Sequence, residues 1–252
     1  MKILATYSIK GGVGKTTAAV NLAYEATRAG VRVLLWDLDP QGAATFFLRV
    51  KPTVKGGAER MVSTKGDLVP HVRATDFRSL HVVPADFSLR HLDLHLDDTK
   101  HPTRRLGALL EPLVEQYDLA LLDCPPSISL SSESVFGAAD ALLVPTIPTT
   151  LSARTLTPLV DFLADWSDPP KLLPFLSMVD RRKKLQVELV QSLTEAWPNL
   201  LPTAIPNSSV AERMGVERAP IAAFAPNTAV ARAYRGLWSD VSARLWSFRS
   251  DR

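Results

Sequence analysis

A glycine-rich segment near the start of the sequence has the residue types and the spacing of a phosphate-binding loop. It reads Lys10-Gly11-Gly12-Val13-Gly14-Lys15-Thr16-Thr17 and lies between an apolar stretch and a helix-like stretch. Its glycines allow backbone N–H groups to curl around an anion, and the following helix adds its positive dipole end. In such a loop Lys15 lies against the outer phosphates and the Thr16 hydroxyl binds Mg²⁺. The segment therefore predicts a nucleotide-phosphate site from Gly11 to Thr17 rather than a glycine-rich hairpin turn.

Two further segments place carboxylates where apolar runs end. Asp37 and Asp39 follow one such run in the segment Asp-Leu-Asp-Pro-Gln-Gly, and Asp123 ends another. The carboxyl ends of parallel strands form the edge at which such sheets bind ligands. A buried strand that ends in Asp, downstream of a phosphate loop, predicts that Asp123 holds Mg²⁺ through water. For Asp37, capping of the next helix remains an alternative.

These residues require a sheet with helices around it, and the apolar pattern supplies one. Apolar runs alternate with helix-like segments, which predicts an α/β fold, a doubly wound, mostly parallel sheet with helices on both faces, in one domain over residues 1–252. The predicted strands are Ile3–Tyr7, Val31–Trp36, Leu80–Val83, Leu119–Leu122, Ala141–Val144, Leu172–Met178 and Leu201–Ile205. The predicted helices are Thr16–Ala29, Arg104–Gln116, Leu151–Trp166, Leu185–Trp197 and Thr228–Phe248. Residues Lys51–Asp67 have weak periodicity and are expected to form a surface excursion.

Composition excludes several classes of protein. The one cysteine, Cys124, excludes an internal disulfide framework and any all-cysteine zinc or iron–sulfur site within one chain. No apolar run approaches the ~20 residues of a membrane span, and a reducing cytoplasm is the expected setting. The net charge is +3, and residues 203–252 carry that whole excess, with seven arginines against four carboxylates.

The glycine-rich loop also resembles that of a known family. It matches at every position the K-G-G-V-G-K-T-T loop of the ParA/MinD family of deviant Walker A ATPases, and Ile9 stands where a conventional P-loop has its first glycine. The chain is most similar to the ParA (Soj-like) partition ATPases. The resemblance implies the P-loop NTPase fold, with ATP and Mg²⁺ as cofactors. It also implies a homodimer that encloses the nucleotides, with catalytic roles for Lys15 and for Lys10, which reaches the partner's phosphates.

The resemblance assigns roles to residues outside the loop as well. It implies that Asp39 positions or activates the attacking water and that Asp37 helps to organise the magnesium shell. Two later strand ends resemble segments that flank the adenine in the family. The candidate base contacts in these segments are Met178, Asp180, Pro206 and Asn207. Ser177 departs from the family, whose members commonly carry other polar residues there.

Clustered cations suggest a polyanionic partner. They form one run, Arg181, Arg182, Lys183 and Lys184, and a C-terminal set, Arg213, Arg218, Arg232 and Arg235. Such clusters bind a phosphate backbone without sequence preference, and a solvated basic face is the ordinary alternative. The resemblance implies that the ATP-bound dimer binds nucleoid DNA non-specifically and that a ParB-like or other cargo adaptor stimulates hydrolysis. The expected protein is cytoplasmic and nucleoid-associated, and it segregates or positions a plasmid, a chromosome or a protein complex.

Two other functions remain open. The apolar residues Tyr234, Leu237, Trp238, Val241, Leu245 and Phe248 share one helical face. This face suits either a helix packed on the sheet, which we favour, or the membrane-surface helix of a MinD-like positioning ATPase. A membrane partner is therefore not expected. The remaining alternative is a metabolic P-loop amide ligase or synthetase, although the sequence offers no distinct acidic or nucleophilic set beside the γ-phosphate.

Overall fold

A seven-stranded sheet lies at the centre of the protein. The computed structural model describes residues 1–247, with the backbone alone for residues 151–155. In chain order the strands are β1 Lys2–Thr6, β2 Val33–Asp37, β3 Arg73–Ala74, β4 Leu80–Val83, β5 Leu119–Asp123, β6 Ala141–Thr146 and β7 Lys171–Leu176. Their order across the sheet is β3-β4-β2-β5-β1-β6-β7, and only β3 and β4 pair antiparallel. The prediction of a doubly wound, mostly parallel sheet is confirmed.

Helices cover both faces of this sheet. In chain order they are α1 Lys15–Arg28, α2 Ala43–Phe47, α3 Gly57–Val62, α4 Leu92–Asp97, α5 Arg105–Leu110, α6 Leu130–Ala138, α7 Thr150–Ala164, α8 Lys184–Ala196, α9 Ser209–Glu212, α10 Met214–Glu217, α11 Ile221–Phe224 and α12 Ala229–Leu245. Short 3₁₀ turns are formed by Val69–His71, Phe87–His91, Pro102–Arg104 and Glu111–Leu113.

The sheet separates two apolar cores because successive side chains of a strand point to opposite faces. Leu4 and Leu35 belong to the core that packs against α1 and α12. Ala5 and Leu34 belong to the core beneath α3 to α7. Strands buried on both faces explain why their sequences are almost continuously apolar.

The C-terminal helix α12 packs against the sheet, as expected. Its face formed by Tyr234, Leu237, Val241 and Leu245 is buried, with each side chain at most 3% exposed. Phe248, which was assigned to the same face, lies outside the described residues. No helix within residues 1–247 combines the length and the apolar character needed to cross a bilayer.

The expectation that Lys51–Asp67 forms a surface excursion is wrong. The segment contains α3, whose Ala58, Met61 and Val62 are fully buried in the second core. The three residues recur at the spacing of one helical face, and the glycines at 56 and 57 precede the helix rather than interrupt it.

Two predicted elements are shorter or absent. Residues Leu201–Ile205 form no strand of the sheet, although the N–H groups of Leu201 and Ile205 each donate to a carbonyl of β7 at 2.8 Å. Prolines at 202 and 206 lack the N–H that a continuous ladder needs. The predicted helix Arg104–Gln116 ends as an α-helix at Leu110, because Pro112 begins a 3₁₀ turn there.

Candidate functional site

The glycine-rich loop forms an open cradle between β1 and α1. Gly12 and Gly14 have φ angles of 70° and 95°, which other residues rarely adopt. Within the described residues, the N–H groups of Gly11, Gly12 and Gly14 donate no hydrogen bond. Val13 is buried, and its carbonyl oxygen accepts a hydrogen bond of 2.8 Å from Ser177. The loop therefore has a fixed back wall and donors available for an anion.

Lys15, Thr16 and Thr17 form the first turn of α1, as the motif predicts. The Lys15 side chain is 7% exposed, and its ammonium donates to the carbonyl of Lys10 at 3.1 Å. Burial lowers the pKa of Lys15, whereas the charges of Asp123 and Asp39 act in the opposite direction. A phosphate oxygen can replace the Lys10 carbonyl as acceptor, and its negative charge would favour the charged ammonium.

Asp123 presents a buried carboxylate oxygen without a partner. Its Oδ1 accepts a hydrogen bond of 3.1 Å from Thr6, and its Oδ2 is buried with no hydrogen-bond partner. Burial raises the pKa of Asp123, the charge of Asp37 raises it further, and the hydroxyls of Thr16 and Thr6 lower it. A hydrated cation beside Thr16 would supply the missing donor and favour the charged carboxylate. The residues present therefore fit Mg²⁺.

Asp37 lies beside Asp123 in the register of β2 and β5, but its oxygens are already used. Oδ2 accepts from the backbone N–H and the hydroxyl of Thr45 at 2.8 and 2.7 Å, and Oδ1 accepts from the N–H of Asp39 at 3.3 Å. Burial raises the pKa of Asp37. The carboxylate fixes the loop to α2, and its part in the magnesium shell remains a prediction.

Asp39 and Lys10 lie at the open side of the cradle. The Asp39 carboxylate accepts from the N–H of Gln41 at 2.9 Å, and its side chain is only half-buried. The Lys10 ammonium is partly exposed and makes no ion pair with the described residues. Both charged groups are accessible from outside the cradle.

A cavity of about 860 Å³ lies beyond β7. Asp180, Pro206 and Asn207 line it, which brings together three of the four residues predicted to contact adenine. The fourth, Met178, has a φ of 55°, and its terminal methyl lies beside Gly14 rather than in the cavity wall. Ser177 also contacts the loop, so the strand end that follows β7 supports the phosphate cradle directly.

The first predicted DNA-binding run borders this cavity. Arg181 and Arg182 line it, and Arg182 donates to both oxygens of Asp180 at 2.9 and 3.0 Å. Those bonds lower the pKa of Asp180 to about 2. Lys183 and Lys184 continue away at the start of α8, where Lys184 forms a loose pair of 3.9 Å with Glu188.

The second predicted DNA-binding set lies in and around α9 to α12, and its guanidinium groups all have contacts within the chain. These contacts are Arg213 to the carboxylate of Glu217 at 2.5 Å, Arg218 to the carbonyl of Phe46 at 3.1 Å, Arg232 to the carbonyl of Asn227 at 2.8 Å and Arg235 to the carboxylate of Glu25 at 3.6 Å. Exposed pairs of this kind contribute little to stability and can be exchanged for a phosphate. Binding of DNA by these residues remains a prediction.

Thr45 is the functional residue that sequence reasoning missed. Its buried hydroxyl donates to Asp37 and accepts from the N–H of Ala85 at 2.8 Å, so it joins the Asp39 loop to the end of β4. The available signal was a hydroxyl residue in the apolar segment that follows the Asp-Leu-Asp-Pro-Gln-Gly motif.

Comparison with known proteins agrees with this geometry. Residues 1–170 match the family described as an AAA domain. The sporulation initiation inhibitor protein Soj of Bacillus subtilis is 29% identical over 249 residues, which cover 96% of this chain and 98% of Soj. The chromosome partitioning protein ParA of Caulobacter vibrioides is 32% identical, over 77% of this chain and 75% of that protein.

Among solved structures, cobyrinic acid a,c-diamide synthase from Mycobacterium smegmatis with bound ADP and magnesium superimposes with a TM-score of 0.80. It is 25% identical, over 100% of this chain and 97% of that one. The predicted P-loop NTPase fold is thereby confirmed. The loop, the strand-end aspartates and the relatives agree, and the chain belongs to the ParA/MinD family of deviant Walker A ATPases.

Proposed function

We propose that this protein binds ATP and Mg²⁺ at the glycine-rich cradle and hydrolyses ATP there. The observation that carries the proposal is the buried, unpartnered Oδ2 of Asp123 beside the first turn of α1. Bound magnesium would neutralise charge on the phosphates. Lys15 would then donate to the outer phosphates, and the loop N–H groups would hold the phosphate chain.

Asp39 is the residue proposed to orient the attacking water. It follows β2 on a loop that Asp37 and Thr45 hold, so its carboxylate is positioned by buried contacts although it is itself accessible. Phosphoryl transfer needs orientation and charge stabilisation more than covalent help, which suits a carboxylate in this place.

We further propose that two ATP-bound chains associate face to face and that each supplies Lys10 to the partner's phosphates. Support comes from the open side of the cradle, where the Lys10 ammonium is free of ion pairs among the described residues. A cation supplied across the dimer would stabilise the charge of the transferring phosphoryl group.

A mixing experiment tests the shared site. Lys10→Ala and Asp39→Ala are each expected to be inactive in ATP hydrolysis. In a mixed dimer, one site combines the Asp39 of the first variant with the Lys10 of the second. Mixing the two inactive proteins should therefore restore part of the activity, whereas mixing Lys10→Ala with Lys15→Ala restores none. A mixture as inactive as its components would contradict a contribution of Lys10 across the dimer.

The dimer is proposed to bind nucleoid DNA through the cations around α9 to α12 and to release it after hydrolysis, which a partner protein stimulates. Dimerisation doubles the number of phosphate contacts, and affinity depends steeply on that number. The relatives named for chromosome partitioning support a role in segregating or positioning a cargo. Binding to anionic liposomes instead of DNA would favour the MinD-like alternative.

The likeness to cobyrinic acid a,c-diamide synthase favours one second candidate, an ATP-dependent synthetase. The two functions differ in what triggers ATP turnover. Steady hydrolysis by the purified protein with ATP and Mg²⁺ alone, accelerated by DNA, supports the positioning ATPase. Turnover that appears only when a carboxylic acid and an amine donor are added supports the synthetase.

A further inference from the structure

A cleft of about 260 Å³ beside β3 carries a concentration of positive charge. Its lining includes Lys55, Arg60, Lys65 and Arg73, which come from four successive pieces of chain around α3. Asp67 is the only carboxylate in the lining, and it already accepts a hydrogen bond of 2.9 Å from the N–H of Val69. None of the four cations forms an ion pair with a residue in the described part of the chain.

The floor of the cleft contains an unusual histidine. His71 is 5% exposed, and its Nδ1 is buried without a hydrogen-bond partner. Burial lowers the pKa of His71, and the charges of Arg73 and Arg60 lower it further against the opposing charge of Asp67. An unpartnered buried ring nitrogen among cations is costly for the free protein, and a nearby anion would reduce that cost.

The walls of the cleft are already fixed. The guanidinium of Arg105 donates to the carbonyl oxygens of Val62, Ser63 and Gly66 at 2.9, 2.5 and 3.1 Å, which holds the turn that carries Lys65. Gly66 itself has no room for a side chain, because a Cβ there would lie 2.0 Å from the carbonyl oxygen of Met61. On the opposite side, Arg73 donates to the carbonyls of Pro70 and Val72 at 2.8 and 2.9 Å.

We propose that this cleft is a second anion site, which binds a small free polyphosphate group separately from the nucleotide cradle. The cleft shares no lining residue with the cavity beyond β7 or with the glycine-rich loop. Its volume lies below the roughly 300–1,000 Å³ of sites for drug-sized ligands. Four cations against one carboxylate suit a group with several negative charges, and arginines bind phosphate oxygens in pairs.

The test uses tripolyphosphate as the probe and the full-length Lys15→Ala variant, in which the nucleotide cradle is disabled. Calorimetric titration is expected to show one site. Changing both exposed cations, Arg60→Ala with Lys65→Ala, should weaken binding at least tenfold. The matched control Lys51→Ala changes an exposed lysine outside the cleft and should leave the affinity unchanged.

The imidazole resonances of His71, assigned with a His71→Gln variant, report on the place of binding. Addition of tripolyphosphate should shift them and raise the pKa of His71. Equal affinity in the double variant and its control, or unchanged His71 resonances at saturation, would overturn the proposal. Displacement of tripolyphosphate by duplex DNA at an equal phosphate concentration would also overturn it, because the cleft would then belong to a DNA-binding surface.

Discussion

Replacement of Thr45 by valine tests whether the buried Asp37–Thr45–Ala85 connection holds the catalytic loop. Valine has nearly the same shape and keeps the backbone N–H that donates to Asp37 at 2.8 Å. It removes the hydroxyl that donates to Asp37 at 2.7 Å and accepts from Ala85 at 2.8 Å. The substitution therefore isolates the contribution of one hydroxyl group in a fully buried environment.

The expected cost follows from these two bonds. A hydrogen bond to a charged group contributes about 1.5–3 kcal/mol, and a buried N–H left without an acceptor costs about 1–3 kcal/mol. Because the two effects share one hydroxyl and are not additive, we expect a loss of about 3 kcal/mol in the free energy of unfolding. For a domain of this size that corresponds to a fall in Tm of roughly 6–12 °C.

Urea unfolding of the nucleotide-free protein measures the loss, with Thr45→Ser as the matched control. Serine keeps the hydroxyl and removes one buried methyl group, which costs about 1 kcal/mol. ATP hydrolysis should also fall in Thr45→Val, because Asp39 follows the loop that this hydroxyl holds. Equal stability of the valine and serine variants would refute the argument that this connection organises the loop.

Three further predictions concern the cradle and the basic surface. Asp123→Asn should remove part of the loss of stability that the nucleotide-free protein shows as pH rises, since the raised pKa of Asp123 stabilises the folded state only while the group is protonated; urea unfolding at pH 5 and pH 8 measures this, and an unchanged difference contradicts it. Lys15→Ala should abolish binding of a fluorescent ATP analogue while the protein stays folded by circular dichroism, and retained binding would exclude Lys15 as the phosphate ligand. Arg213→Glu with Arg232→Glu should reduce the salt dependence of DNA binding by about 0.9 in log–log slope for each lost phosphate contact, with basal ATP hydrolysis unchanged; an unchanged slope would place the DNA surface elsewhere.

The sequence predicted the nucleotide cradle well because its chemistry is local. Gly12 and Gly14 are needed for the backbone of one short loop, and Lys15 and Thr16 follow them directly in the helix. Asp123 was found from the strand that it ends, and the parallel register then brings it beside Asp37. Motifs of this kind carry their geometry within a few residues of chain.

Contacts between distant segments could not be predicted in the same way. The bond between Thr45 and Ala85 joins residues forty positions apart, and that between Ser177 and Val13 joins residues still more distant. Neither contact leaves a pattern in a single sequence. The error at Lys51–Asp67 has a different origin, since the flanking glycines obscured a short helix whose buried face was regular.

Nucleotide-dependent binding of DNA by the Asp39→Ala variant tests the central proposal most directly. This variant is expected to bind ATP without hydrolysing it, so the dimer should persist. In fluorescence anisotropy with a labelled duplex, we predict tight, salt-sensitive binding with ATP and Mg²⁺ and weak binding with ADP and Mg²⁺. Equal affinity for DNA in the two nucleotide states would contradict the proposal that ATP binding assembles the DNA-binding form.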